Sequence, residues 1–216
     1  MPFVKKITTE AGILGIWELI EPAHELEEIF TFSESERTEY QRIKFDKRKL
    51  EFLGIRLLTE ILAGKKAEIE YLPTGKPELK NESQFISISH SDNLVAVFLS
   101  SKCRIGIDAE RIDRNIGQVA KRFLSSDETK DIERLYNQQI GKIVYWCGKE
   151  SIFKCTLQNK ILFNQHISIA PFLLNEEGFF RGSLHTNSGI ENFRLNYFRY
   201  KNNMVVYCVP LQMGAF

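Results

Sequence analysis

Long hydrophobic runs are missing from this 216-residue chain. No stretch approaches the roughly 20 apolar residues that a membrane span requires. The opening residues, Met1-Pro-Phe-Val-Lys-Lys6, lack the apolar core of a secretory signal. An excess of one charge is missing too, since a net charge of +1 supplies no global field for nucleic acid or a membrane surface. Cysteine is scarce: Cys103, Cys147, Cys155 and Cys208 form no Cys-x-x-Cys pair and have no nearby histidine at zinc-ligand spacing. That usage fits a reducing compartment. Low-complexity segments and linkers are also absent. These absences lead us to expect a soluble, cytoplasmic protein with no nucleic-acid or membrane partner. At 43% hydrophobic and 26% charged residues the composition is that of an ordinary globular chain, long enough for one large domain or two small ones.

The elements present follow from spacing. Ile13 to Leu19 reads as a short strand, and Ser33-x-x-Glu36 is a capping box that starts a helix near Ser33. Leu50, Leu53, Leu57, Leu58, Ile61 and Leu62 recur at helical spacing, with Gly64 as the stop. Arg48, Glu51 and Arg56 flank that stripe, where a solvated face is the default. Tyr71 to Pro77 is a turn between two strands, and Pro73, Gly75 and Pro77 hold Lys76 at a defined place on its rim. Phe85 to Ser91 begins as an alternating strand and ends in Ser89-His90; Leu94 to Leu99 is the next strand. Ser125-x-x-Glu128 is a second capping box, which accounts for Glu128. A helix runs from about Gly141 to Thr156. Beyond Ile167, turn residues at 176–178, 187–189 and 201–203 separate strands, so the C-terminal part is an antiparallel sheet.

Two stretches carry chemistry. In Ile105-Gly-Ile-Asp-Ala-Glu110, strand alternation places Ile105, Ile107 and Ala109 on one face and Gly106, Asp108 and Glu110 on the other. The apolar row is expected to enter a core while the carboxylates project together, about 6.5 Å apart along the strand, with spacing and hardness that suit magnesium. Gly106 is expected to leave room there for a bulky ligand. In Trp146-Cys-Gly-Lys-Glu-Ser-Ile-Phe-Lys154, Trp146, Glu150 and Lys154 share one helix face, adding a third carboxylate and a lysine. Either stretch alone is ordinary: a strand entering a charged loop, or a Glu-to-Lys surface pair.

Together, in this order and separation, the two stretches resemble the signatures of 4′-phosphopantetheinyl transferases of the surfactin type. The resemblance implies an α+β fold of two similar lobes, each an antiparallel sheet packed with helices, divided as 1–103 and 104–216, with the active site between them. It implies transfer of the 4′-phosphopantetheine arm of coenzyme A to a serine of an apo acyl or peptidyl carrier protein. Magnesium would be held by Asp108, Glu110 and Glu150, and adenosine 3′,5′-bisphosphate would be released. Asp108, Glu150 and Lys154 would be the catalytic residues. Arg48, Lys76, Ser89, His90, Lys149 and Lys154 would bind coenzyme A, with Arg56 second to Arg48 on its helix. Arg111, Arg114, Lys121 and Arg122 form the basic patch that an acidic carrier would meet. Larger members with two lobes usually act as monomers. One departure stands out: Cys155-Thr-Leu-Gln-Asn-Lys160 has no glycine where surfactin-type enzymes commonly have a glycine-containing loop. The same residues would also suit a magnesium-dependent pyrophosphate hydrolase or a non-catalytic coenzyme A-binding module.

Overall fold

The computed structural model describes residues 3–156, 158 and 160–211. Leu157 and Asn159, in the loop that lacks glycine, lie outside them. The described residues form an α+β fold of antiparallel sheets and seven α-helices. The chain divides into two compact units, Met1–Lys102 and Cys103–Phe216.

The first unit contains β1 (Phe3–Thr8), β2 (Ile13–Glu18), α1 (Ala23–Ile29), α2 (Glu34–Arg42) and α3 (Asp46–Ala63). It continues with β3 (Ile69–Tyr71), β4 (Pro77–Leu79), β5 (Phe85–Ser91) and β6 (Leu94–Ser100). Its main sheet runs β1-β2-β6-β5, with every pairing antiparallel, and β3 pairs with β4 in a separate two-stranded sheet. The capping box at Ser33 and Glu36 forms as spacing predicts, with the serine side chain on the Glu36 N–H and the glutamate on the Ser33 N–H. Gly64 ends α3 in the left-handed region at φ 69°, a conformation open to glycine at no steric cost. The apolar stripe of α3 packs on the sheet, and Trp17, Leu53, Leu58, Val95 and Val97 are fully buried in one core.

The second unit contains β7 (Gly106–Arg111), a 3-10 turn (Gly117–Val119), α4 (Ala120–Phe123), α5 (Ser126–Glu133) and α6 (Gln138–Cys155). Then come α7 (Phe163–His166), β8 (Ile167–Ile169), β9 (Glu177–Thr186), β10 (Gly189–Tyr200) and β11 (Asn203–Pro210). Its sheet order is β7-β11-β10-β9-β8, all antiparallel; the turns predicted at 187–189 and 201–203 join hairpins that bring β11 back beside β7, whereas Glu177 and Gly178 of the turn predicted at 176–178 belong to β9 and pair with β10. Helix α6 lies across this sheet over a core that includes Ile143, Val144, Ile152, Phe193, Leu195 and Val206. Among the described residues no helix is long and apolar enough to cross a membrane.

Candidate active site

Strand β7 and helix α6 position the second unit's charged residues. Pairing with β11 sets Gly106 opposite Cys208, Asp108 opposite Val206 and Glu110 opposite Met204. All three β11 residues belong to the core under α6. The face of β7 that carries Asp108 is therefore the face α6 covers, which corrects the expectation of a core row opposed by a projecting acidic row. Both rows are buried at this point: Ile107 and Ala109 are 0% and 1% exposed, and Asp108 is 6% exposed. The space beside Gly106 is likewise not left for a ligand. A Cβ there would lie 1.9 Å from the Ser151 carbonyl oxygen of α6. Glycine is required because the helix backbone sits against the strand. Ser151 holds the contact from the other side, its hydroxyl lying 2.7 Å from the Cys147 carbonyl and 2.9 Å from that of Val206.

This close packing brings the last turns of α6 to Asp108. The Lys154 ammonium donates to Asp108 Oδ1 at 2.8 Å and to the Ile107 carbonyl at 3.0 Å. Glu150, one turn earlier, shares its surroundings with Asp108 and Glu110. Burial first, then the Asp108 charge, pushes its carboxyl up to about 7, with Glu110 adding to the rise and Lys154 and Arg114 opposing it. Glu110 is also raised, by burial and then by Asp108, against the pull of Arg114, which forms an ion pair with it. The Cys147 thiol, fully buried in the same stripe of α6, is pushed well above its usual range by burial and by both acids. Arg114 lies 5.8 Å from the Trp146 ring, and Trp146, Glu150 and Lys154 follow at four-residue intervals along α6.

Asp108, Glu110 and Glu150 thus share one field, with Lys154 and Arg114 as their counter-ions. Hard carboxylate oxygens in this number suit a divalent cation chemically. Their present positions do not constitute a ligand shell: among the described residues no group of three or more His, Cys, Asp or Glu side chains is arranged to hold a metal ion.

Lys149 corrects the reading made from the signature. Its side chain is 0% exposed and turned away from Glu150. The ammonium donates to Glu128 at 2.7 Å and to the carbonyls of Phe163 and Ile167 at 3.0 and 2.6 Å. Glu128 in turn accepts from the Ser125 and Ile169 N–H groups, so the capping glutamate also joins α5, α6 and β8. Burial lowers the Lys149 pKa, and Glu128 opposes that. All three ammonium donors are committed inside the protein, which leaves none for a phosphate.

In the first unit, Arg48 and His90 come together through a residue that spacing assigned to a solvated face. Glu51 Oε2 accepts from Arg48 Nη1 at 2.6 Å, and Glu51 Oε1 lies 3.6 Å from His90 Nδ1. The readable signal was position: Glu51 precedes Ile55 and Leu58 by four and seven residues, on the buried stripe of α3. Ser89 is not brought to this group. The register of β5 with β6 is continuous from Phe85 to Ser91, so adjacent residues face opposite sides. His90 shares its face with Ile86 and Ile88, while Ser89, 5% exposed, shares the other with Ser87 and Ser91. Lys76 sits half-buried in the turn between β3 and β4, closed by hydrogen bonds from Leu72 N to Lys76 O and from Gly75 N to Leu72 O. Arg56 is structural. It is 1% exposed, pairs with Glu36 and Glu39, and lies 3.3 Å over the Phe52 ring.

An acidic strand, covered by a helix that delivers one carboxylate and one lysine to it, gathers three carboxylates and two counter-ions in one place. Residues 104–206, which contain all of these groups, match the family model of the 4′-phosphopantetheinyl transferase superfamily. The matched stretch lies within the second unit. No curated protein matches the chain significantly.

Proposed function

We propose that the protein is a transferase of the surfactin type that moves the 4′-phosphopantetheine arm of coenzyme A onto a serine of an apo acyl or peptidyl carrier protein. The observation that carries this reading is the meeting of Asp108, Glu110, Glu150 and Lys154 on β7 and α6, inside the stretch that matches the superfamily. Asp108, Glu110 and Glu150 would hold magnesium, which when bound would supply positive charge to the coenzyme's pyrophosphate.

Lys154, 27% exposed at its side chain, has donor capacity beyond its bonds to Asp108 and the Ile107 carbonyl, and it binds the transferred phosphoryl group. Glu150 acts as the base. Its carboxylate lies one turn before Lys154 on α6, so the proton acceptor and the phosphoryl-binding ammonium share one helix face. The serine oxygen bonds to the phosphorus next to pantetheine and its proton passes to Glu150. The bond from that phosphorus to the bridging oxygen breaks, and adenosine 3′,5′-bisphosphate departs. Arg48, His90 and Lys76 contribute cationic or hydrogen-bonding contacts to the coenzyme's phosphates. Lys149 and the Ser89 hydroxyl have no place in this scheme, since one is internally saturated and the other lies on the far face of β5 from His90.

The test is a mass measurement. Incubated with coenzyme A, magnesium and a panel of apo carrier proteins, the wild type should add phosphopantetheine to at least one of them and release the bisphosphate. Folded Asp108→Ala should leave the carrier unmodified. Cleavage of coenzyme A without any carrier would instead indicate a pyrophosphate hydrolase.

A further inference from the structure

We propose that Glu51 is a positioning residue, a buried acid that holds Arg48 and His90 in place to receive a phosphate group. The inference rests on the reading that this part of the first unit binds coenzyme A.

The geometry is divided between two elements. Arg48 and Glu51 stand three residues apart at the start of α3, and His90 lies near the end of β5 on the face toward the core. The Glu51 side chain is 7% exposed, whereas Arg48 and His90 keep 60% and 41% of theirs in solvent. The acid is therefore the inward member of the group and the two nitrogen-bearing side chains are the outward members. Its oxygens are shared out, one to Arg48 at 2.6 Å and one toward His90 at 3.6 Å.

Burying a carboxylate is unfavourable unless cations compensate it, so its place under two basic side chains requires a reason. A long exposed arginine samples many rotamers and must surrender them when it grips an anion. An arginine already bonded at Nη1 has given up much of that freedom before the ligand arrives, while its other N–H donors remain to be used. The same carboxylate can orient the imidazole through Nδ1. Glu51 reduces the local positive charge, yet it gives the site a fixed shape. We infer that shape dominates.

The test is a set of double-mutant cycles on the whole protein, read by calorimetric binding of coenzyme A and by KM and kcat. Glu51→Gln keeps the volume and removes the charge; it should raise Kd and KM for coenzyme A roughly five- to ten-fold, with kcat nearly unchanged. In an Arg48→Ala/His90→Ala background the same change should add less than about two-fold, because the residues it acts through are gone. A full five-fold loss in that background would make Glu51 a packing residue and overturn the proposal. So would unchanged or tighter binding by Glu51→Gln, since the acid would then only weaken the site. Should Glu51→Gln fail to fold, Arg48→Ala and His90→Ala, at solvent-facing positions, decide the matter. Their affinity losses should be non-additive by about three-fold or more if one carboxylate serves both, and additive losses would overturn the proposal. Wild-type protein that binds no coenzyme A would remove the function reading itself, an outcome distinct from normal binding with independent residues.

Discussion

Helix α3 in the first unit and α6 in the second each run for 18 residues over an antiparallel sheet. Each also buries one cation against the glutamate of a capping box in the helix before it: Arg56 on Glu36, and Lys149 on Glu128. The sequence shows no repeat, yet the same device occurs twice. The residues around it differ. Lys149 is closed in by one carboxylate and two carbonyls, whereas Arg56 reaches a second acid, Glu39, whose side chain is half in water. The remaining faces of the two helices differ more. The last turns of α6 carry Glu150 and Lys154 toward the acids of β7, while the first turns of α3 carry Arg48 and Glu51 toward His90. A buried ion pair fixes the roll of each helix, and the exposed remainder is then free to specialise.

That comparison breaks first at the ion pairs. Lys149→Met leaves Glu128 buried and without its cation, which should cost about 3–5 kcal/mol in urea unfolding. Arg56→Met should cost less, because Glu39 can turn to solvent and Lys66 lies 3.7 Å from Glu36. Equal losses would mean that the two ties are equivalent despite their different surroundings.

Glu150 offers a pH test in metal-free buffer. Its folded pKa, about 7, lies above the ordinary 4.5, so the favourable contribution is complete below pH 4.5 and is lost as pH rises through 7. Glu150→Gln does not suffer this loss. Between pH 5 and pH 8 its stability should gain about 1–3 kcal/mol relative to wild type, read by thermal or urea unfolding. A pH-independent difference would remove the acidic field from β7 and α6.

Gly106→Ala pushes against the Ser151 carbonyl, and overpacking of this kind costs about 1–3 kcal/mol. Carrier modification should fall further than stability does, because the shifted helix carries Glu150 and Lys154 with it. Ala at Gly64, exposed and with nothing near its Cβ, supplies a control whose penalty is only that of φ 69°.

The smallest effect concerns docking. Arg111 pairs with Asp113 and Arg114 with Glu110, so the basic patch expected after β7 is reduced to exposed Lys121 and Arg122. Reversing both to Glu should raise the carrier KM about two- to five-fold at low salt, leave the coenzyme KM unchanged, and lose its effect as salt screens the charges. A carrier KM insensitive to both changes would place docking elsewhere.

By itself the sequence determined the elements whose signals are local. Capping boxes at Ser33 and Ser125, the glycine stop at Gly64, the stripe of α3 and the hairpin turns at 187–189 and 201–203 all follow from interactions within a few residues. It also determined which residue types could do chemistry, since Asp108, Glu110, Glu150 and Lys154 are named by two short signatures. Tertiary structure decided which way charged groups point. Lys149 and Lys154 are both lysines of one signature, five residues apart on one helix, and only packing sends the first into Glu128 and the second to Asp108. The adjacent pair Ser89 and His90 is divided by the pleat of β5, while Glu51 is taken from an expected surface to the inside of a basic pair. Gly106 is glycine because of the Ser151 carbonyl, more than forty residues away in the chain. Spacing gives the angle between neighbours on an element. The direction in which that element is rolled depends on non-local contacts, and those contacts decide which charges remain available for a ligand.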